Sequence, residues 1–181
     1  MRFHLRYLCA VLIVGCAAVN GRAATVWSGL TTEFAKPAFA DPTLPENQDR
    51  LTPRVALTRG SSAGLYNAAQ EAMYSGSASP ADTEWATALN NPDDTIAAAN
   101  WPELTFTTWV NAYGGPGQLG VNIVGRDAVV HLITDDIYLD IRFTDWGGFG
   151  GGSFAYRRAV PEPSAMILVA LATSFLAVRR R

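Results

Sequence analysis

Residues 128–144, AVVHLITDDIYLDIRFT, contain two apolar segments that flank a pair of aspartates. β-Branched, aromatic and leucine residues dominate both segments, which is typical of β-strands. Two strands joined by two residues form a β-hairpin, and aspartate is common in turns. The stretch therefore predicts a hairpin made of residues 128–134 and 137–144, with Asp135 and Asp136 in the turn.

The register of this hairpin determines which side chains share a face. A two-residue turn places Leu132 opposite Leu139 and makes one face almost wholly apolar. A four-residue loop is the alternative, because Asp-Asp is a poorer turn pair than Asn-Gly. On the other face the two-residue turn pairs Ile133 with Tyr138, His131 with Asp140 and Val129 with Arg142.

The other segments with strand composition lie on both sides of the hairpin. Residues 25–34, 54–58 and 153–158 are predicted as strands, and 36–50, which contains three prolines, as an extended loop. These elements predict a mainly-β fold, namely a small sandwich-like domain with a few short helices.

Three segments carry helical signals. Apolar residues recur at helical spacing in 64–74, and 81–89 is expected to form one or two helical turns with Trp85 as a packing anchor. Thr107 or Thr108 is predicted to cap a short helix over 109–113. If these helices are substantial, the fold is α+β instead.

The N-terminus has the order of a secretory signal peptide. A basic segment precedes the apolar residues 7–19, and small residues follow up to Ala23. We expect residues 1–23 to direct export through the Sec machinery, with cleavage after Ala23. The alternative is a lipobox ending at Cys16, which would make that cysteine the lipidated first residue.

The C-terminus, residues 160–181, has the pattern of a membrane segment. A largely apolar run, 165–178, spans roughly 21 Å as a helix, less than the roughly 30 Å hydrocarbon core. Positive charge stays on the cytoplasmic side, so the terminal arginines 179–181 place residues 24–159 outside the inner membrane.

This tail resembles the PEP-CTERM sorting signal of Gram-negative bacteria. Pro161, Glu162 and Pro163 match its motif, 165–178 its helix, and Arg179, Arg180 and Arg181 its basic end. The resemblance implies exosortase as a partner, an inner-membrane anchor in transit, and delivery to the cell surface or the exterior. Because exosortase systems accompany exopolysaccharide production, it also implies a role in the extracellular matrix or biofilm.

Residues 24–159 resemble the middle of a group of short PEP-CTERM proteins with no known activity. The shared stretches include NQDRLTPRVALTRG (47–60), SPADTEWA (79–86) and HLITDDIYLDIRFTDWG (131–147). The resemblance implies one intact domain.

Composition excludes several classes of function for residues 24–159. Eight basic residues face fifteen acidic ones, a formal charge of −7, and this balance argues against nucleic-acid binding. Both cysteines, Cys9 and Cys16, precede Ala23, so the mature domain has neither disulfides nor thiolate metal ligands.

Candidate catalytic and metal-binding residues are few. His131 opposite Asp140 would supply two members of a hydrolase triad, but the nucleophile would have to be one of several serines with no distinguishing context, and a structural cross-strand pair is expected. Asp135, Asp136 and Asp140, with Asp145 nearby, are calcium candidates without an EF-hand loop. A second loose cluster consists of Asp41, Asn47 and Asp49. We predict no cofactor, with calcium as the alternative.

Three tryptophans, Trp101, Trp109 and Trp146, would stack on sugars if exposed, although tryptophan is more often part of a core. The sequence thus predicts a surface or matrix protein that has no catalytic residues. The alternatives are a carbohydrate- or calcium-dependent binding module and, third, a secreted hydrolase.

The sorting hypothesis predicts the mass of the mature protein. In a strain with active exosortase, we expect cleavage at or near Pro161–Pro163, so that the secreted form lacks the arginines 179–181. Mass spectrometry of that form tests this directly. An intact C-terminus through Arg181 would refute processing.

Overall fold

The computed structural model describes residues 23–148 and 150–162. The strands in these ranges are β1 (Thr25–Trp27), β2 (Thr31–Lys36), β3 (Asp49–Arg50), β4 (Ala56–Arg59), β5 (Leu65–Asn67), β6 (Thr83–Thr87), β7 (Asp127–Leu132), β8 (Ile137–Trp146) and β9 (Phe154–Ala159). The helices are α1 (Trp109–Ala112) and α2 (Leu119–Asn122), with 3-10 turns at Pro45–Asn47, Gly76–Ala78 and Ala98–Glu103.

The central strand of the larger sheet is β8, which has ten residues and three neighbouring strands. Along one edge β8 pairs with β7. Along the other edge it pairs first with β1, in parallel, and from Ile141 onward with β9, antiparallel. The strand order is β2-β9-β8-β7-β6, with β1 beside the first half of β8.

The predicted hairpin is present as β7 and β8, but its turn is longer than two residues. Leu132 lies opposite Ile137, so the loop has the four residues 133–136. The two-residue turn is therefore wrong, and the four-residue alternative is confirmed. The favoured two-residue turn needs a positive φ at both positions, and of the two aspartates only Asp136 has one, at 52°. Because the register moves by two residues and side chains alternate, the predicted apolar face is unchanged.

The smaller sheet, β3-β4-β5, packs on this apolar face. Leu57 and Leu65 from the smaller sheet join Val130, Leu139 and Phe143 from the larger sheet in one buried cluster. Two sheets with a shared core, antiparallel apart from the pairing of β1 with β8, confirm the predicted mainly-β class.

A second, smaller apolar cluster lies on the opposite face of the larger sheet, which we call the outer face. Val129 and Tyr138 from this face pack against Trp101, Leu104 and Phe106. The segment 96–106, which contains the Ala98–Glu103 turn, therefore covers part of the outer face.

Two of the predicted helices are strands. Within 64–74 the structure has β5, which pairs with β4, and within 81–89 it has β6, which pairs with β7. Trp85 is fully buried, as predicted. Alanine-rich spacing was the helical signal, but ladder pairing and core burial outweigh such weak propensity.

The third predicted helix is confirmed in short form. The helix α1 begins after Thr108 and has four residues, as does α2. Since the helices of the described ranges are this short, the α+β alternative is wrong.

The predicted signal peptide and the apolar run 165–178 fall almost entirely outside the described residues. Within the described ranges, no helix has the length and hydrophobicity needed to cross a membrane.

The two sheets are joined by a buried ion pair, which we call the Asp49 clamp. Arg158 on β9 donates from Nε and Nη2 to the two carboxylate oxygens of Asp49 on β3, at 2.6 and 2.8 Å. The hydroxyl of Tyr156 donates to Asp49 Oδ2 at 2.7 Å. Burial, and next the charge of Asp49, raise the pKa of Tyr156, so the phenol remains a donor.

Further contacts join the sheets at the opposite end of β9. The guanidinium of Arg59 on β4 lies 3.7 Å from the ring centre of Trp146 and donates to the carbonyls of Gly147 and Ser153, both at 2.9 Å. Gly152 has a φ of 62°, and a Cβ there would overlap the carbonyl of Gly60. Glycine is needed where these backbones meet.

The clamp makes a specific prediction about stability. Asp49→Asn removes the counterion of a buried guanidinium, which should lower the free energy of unfolding by about 3–5 kcal/mol. Urea unfolding followed by tryptophan fluorescence measures the change. Glu33→Gln is the matched control, because it breaks the exposed pair between Glu33 and Arg157 and should have little effect. Equal losses from both variants would contradict the structural role of the clamp.

Candidate functional site

The outer face of the larger sheet is only partly covered. At one end Trp101 stacks on Tyr138, with ring centres 4.3 Å apart. Further along β8 the same face presents Asp140 and then Arg142, because alternate residues of a strand share a face. Segment 96–106 covers the outer face only as far as Ile96. The uncovered part of the outer face forms the candidate site.

Four charged residues cross this uncovered part in direct register, and we call them the charged row. Glu33 on β2 lies opposite Arg157 on β9, Arg157 opposite Arg142 on β8, and Arg142 opposite Asp127 on β7. Each arginine has one carboxylate partner: Arg142 Nη1 is 2.9 Å from Asp127, and Arg157 Nη2 is 3.3 Å from Glu33. Two positive charges thus lie side by side at the centre of the row, an arrangement that costs energy in a sheet.

A cavity of about 460 Å³ opens beside the charged row. Its charged lining residues are Asp127, Asp140, Arg142, Arg157 and Arg158. Ile96 and Ala97 supply an apolar wall. The volume lies within the usual range of small-molecule sites, and the lining is unusually rich in charged groups.

Asp140 has an unusual environment for a carboxylate. Its Oδ1 accepts a hydrogen bond from the backbone N–H of Ala98 at 2.6 Å, and the structure describes no hydrogen bond to Oδ2. Burial raises the pKa of Asp140, the bond from Ala98 opposes that shift, and the charge of Asp127 adds to it. The cavity therefore contains a partly desolvated acceptor.

His131 does not pair with Asp140, so the predicted pair is wrong. The four-residue loop shifts the register and places His131 opposite Tyr138, with the two rings stacked 4.0 Å apart. The partner of His131 Nδ1 is Glu84 on β6, at 2.8 Å. On the other side Nε2 lies 3.4 Å from Asp136 but is not aligned for a hydrogen bond.

Glu84 could not be recognised as the partner of His131 from sequence. The segment 81–89 was expected to be helical, and only its pairing with β7 places Glu84 opposite His131. Among the described residues, no serine hydroxyl is hydrogen-bonded to His131. The geometry is that of an imidazole held between two carboxylates.

The calcium candidates are separated in the structure. Asp135 lies 3.8 Å from Arg54, Asp136 faces His131, and Asp140 is bonded to Ala98. In the part of the chain that the structure describes, no three acidic, histidine or cysteine side chains form a group that could hold a metal ion.

The second acidic cluster is also divided. The side chain of Asp41 accepts hydrogen bonds from Thr43, and Asn47 donates to the backbone carbonyl of Asp41. The carboxylate of Asp49 belongs to the clamp.

The three tryptophans considered for sugar stacking are engaged with the protein. Trp109 is 1% exposed and belongs to the core. Trp101 and Trp146 are half-buried, and each has a ring in contact with another side chain, Tyr138 and Arg59 respectively. The site that the fold does form, around Arg142 and Arg157, was not identified from sequence.

The predicted sorting motif follows the last strand without a linker. Ala159 is fully buried at the end of β9, and the N–H of Val160 donates to the carbonyl of Leu30 at 3.0 Å. Pro161 and Glu162 are exposed. The rest of the tail, including Pro163, lies outside the described residues. At the other end, Ala23 is exposed and β1 begins two residues later.

A family model for the PEP-CTERM protein-sorting motif matches residues 159–181. The chain therefore carries a PEP-CTERM sorting signal at its C-terminus, and the resemblance inferred from the tail is confirmed. The motif implies that it is exported and sorted by exosortase. The match covers the tail and does not extend to the cavity or the charged row. No curated protein and no solved structure is significantly similar to the chain.

The raised pKa of Asp140 predicts a dependence of stability on pH. A carboxyl group with a higher pKa in the folded state than in the unfolded state destabilises the fold when it is ionised. This loss of stability disappears as the pH falls through the pKa of the folded state. Asp140→Asn keeps an acceptor for Ala98 without the charge. We expect the Tm at pH 7 to rise by about 2 °C or more, and the difference from wild type to shrink at acidic pH.

Thermal unfolding at a series of pH values measures this effect. Asp94→Asn is the matched control, because Asp94 is exposed and should show little difference at any pH. A lower Tm for Asp140→Asn at pH 7 would mean that the ionised carboxylate stabilises the fold.

Proposed function

We propose that the chain is a non-catalytic cell-surface or extracellular-matrix protein of a Gram-negative bacterium, which exosortase delivers and which acts with exopolysaccharide in a biofilm. The observation that carries the proposal is the position of the sorting motif directly after β9. In this arrangement Pro161 and Glu162 are an exposed extension of the last strand. Removing it at the motif would leave the last strand complete.

The backbone contacts around the motif support this arrangement. Ala159 is the last residue of β9 paired with β2, and its partner there is Thr31. Beyond the bond from Val160 to Leu30, Pro161 and Glu162 are not part of either sheet. Proline does not donate a backbone hydrogen bond, so Pro161 is suited to ending the strand. A protease therefore has access to the motif without unfolding the domain.

The surroundings of His131 support a non-catalytic role. A general base must reach the proton that it removes, and efficient catalysis needs a nucleophile within hydrogen-bond distance. His131 is 9% exposed, stacked on Tyr138, and bonded to Glu84. These contacts suit a residue that joins β6, β7 and the loop 133–136. We propose no cofactor for the chain.

A second candidate function is a binding module, and the cavity beside the charged row favours it. Such a role is compatible with surface display, because a matrix protein needs a means of holding its matrix. Sugar binding would then involve charged groups in the cavity and not the stacked tryptophans considered from sequence.

Localisation tests the proposed function. A tagged full-length chain is expressed in a strain with active exosortase and in a derivative that lacks exosortase. We expect wild type in the surface or extracellular fraction of the first strain and in the membrane fraction of the second. In the strain with active exosortase, Glu162→Ala should remain in the membrane fraction, because the substitution changes the exposed motif.

Glu46→Ala is the matched control, since Glu46 is also an exposed glutamate but lies in the Pro45–Asn47 turn. It should be sorted like wild type. Release of wild type from the strain without exosortase, or release of Glu162→Ala from the strain with active exosortase, would overturn the proposal.

A further inference from the structure

We propose that the cavity beside the charged row binds the carboxylate and hydroxyl groups of an acidic sugar residue. The inference rests on the proposed function in one respect: a surface protein of a polysaccharide matrix would meet this ligand. The site itself is argued from Arg142, Arg157 and Asp140.

The first argument is the position of two like charges. Arg142 and Arg157 are direct cross-strand neighbours on the same face of the sheet. Like charges directly opposite each other destabilise a sheet, so this arginine pair lowers the stability of the sheet when no anion lies between the two side chains. An anion between the two guanidinium groups would turn this repulsion into attraction. Arginine is also suited to this role, because its planar fork matches a carboxylate.

The second argument is that both arginines are available to a ligand. Their side chains are 51% and 57% exposed, and the carboxylates that they contact, Asp127 and Glu33, are still more exposed. Exposed ion pairs contribute about 0–1 kcal/mol, so the arginines can exchange these partners at little cost. Arg158 differs, because its bidentate bond to Asp49 is buried and part of the clamp.

The third argument identifies the rest of the ligand. Asp140 offers a carboxylate oxygen, Oδ2, to which the structure describes no hydrogen bond, and a hydroxyl group can donate to it. A second anionic group would be repelled there by Asp140 and Asp127. Ile96 and Ala97 provide an apolar wall against which the C–H groups of a sugar ring can pack. One carboxylate together with neutral hydroxyl groups on a compact ring is the combination that fits.

Isothermal titration calorimetry of the full-length chain in a neutral detergent tests the inference, with sodium glucuronate as the probe. We expect saturable binding that weakens as NaCl is added, because screening reduces the attraction to the arginines. Glucose, which has the same ring without the carboxylate, should bind at least about tenfold more weakly, as expected for loss of charge-assisted hydrogen bonds.

Two variants locate the site. Arg142→Gln and Arg157→Gln should each weaken glucuronate binding by about tenfold or more. Arg50→Gln is the matched control, because Arg50 is exposed on β3 in the smaller sheet. Thermal unfolding of each variant confirms that it is folded.

Three results would overturn the inference: no saturable heat with glucuronate, equal weakening by Arg50→Gln, or binding of inorganic phosphate as tight as that of glucuronate. The last result would indicate a general anion site and not one for a sugar acid. Failure here is distinguishable from failure of the proposed function, because calorimetry of the detergent-solubilised chain does not depend on sorting. Conversely, the localisation experiment does not depend on sugar binding.

Discussion

The pairing of β8 with three strands is the constraint on which the rest of the structure depends. With ten residues, β8 is long enough for β1 and β9 to share one of its edges while β7 occupies the other. The first and last strands of the described chain therefore lie on the same edge. Because non-local strand pairs form only after the intervening chain has closed into a loop, the sheet is complete only when residues 25–159 are all present.

This arrangement relates the fold to export. The predicted cleavage site after Ala23 lies two residues before β1, and the sorting motif begins two residues after β9. Both predicted sorting segments are thus adjacent in sequence to strands that pair with β8. A chain not yet exported as far as Ala159 would lack the pairing of β8 with β9. The Asp49 clamp then closes on the last strand, since Tyr156 and Arg158 both belong to β9.

The two faces of the larger sheet have different roles. The inner face carries the core that it shares with β3, β4 and β5, and its one buried ion pair is fully satisfied by bidentate geometry. The outer face combines a covered apolar half with an open charged half. Segment 96–106 covers the apolar half through Trp101 and Phe106. The covered area ends where the charged row begins. The buried clamp and the candidate binding site are therefore located on opposite sides of one sheet.

The sequence by itself determined the sorting route, the mainly-β class and the apolar face of the hairpin. Each depends on local order: the motif, apolar run and basic end of the tail, and alternation with a period of two between 128 and 144. The α1 helix after Thr108 was also predicted from local sequence, although the Thr108 side chain makes no capping hydrogen bond.

Only the tertiary structure decided the identity of β5 and β6, the partner of His131 and the charged row. Alanine-rich spacing at 64–74 favoured a helix, but the ladder to β4 and burial of Leu65 outweigh that weak preference. A loop longer by two residues replaced Asp140 with Tyr138 as the neighbour of His131. The charged row joins residues from four strands, and contacts between residues far apart in sequence depend on register and strand order, which local propensity does not specify.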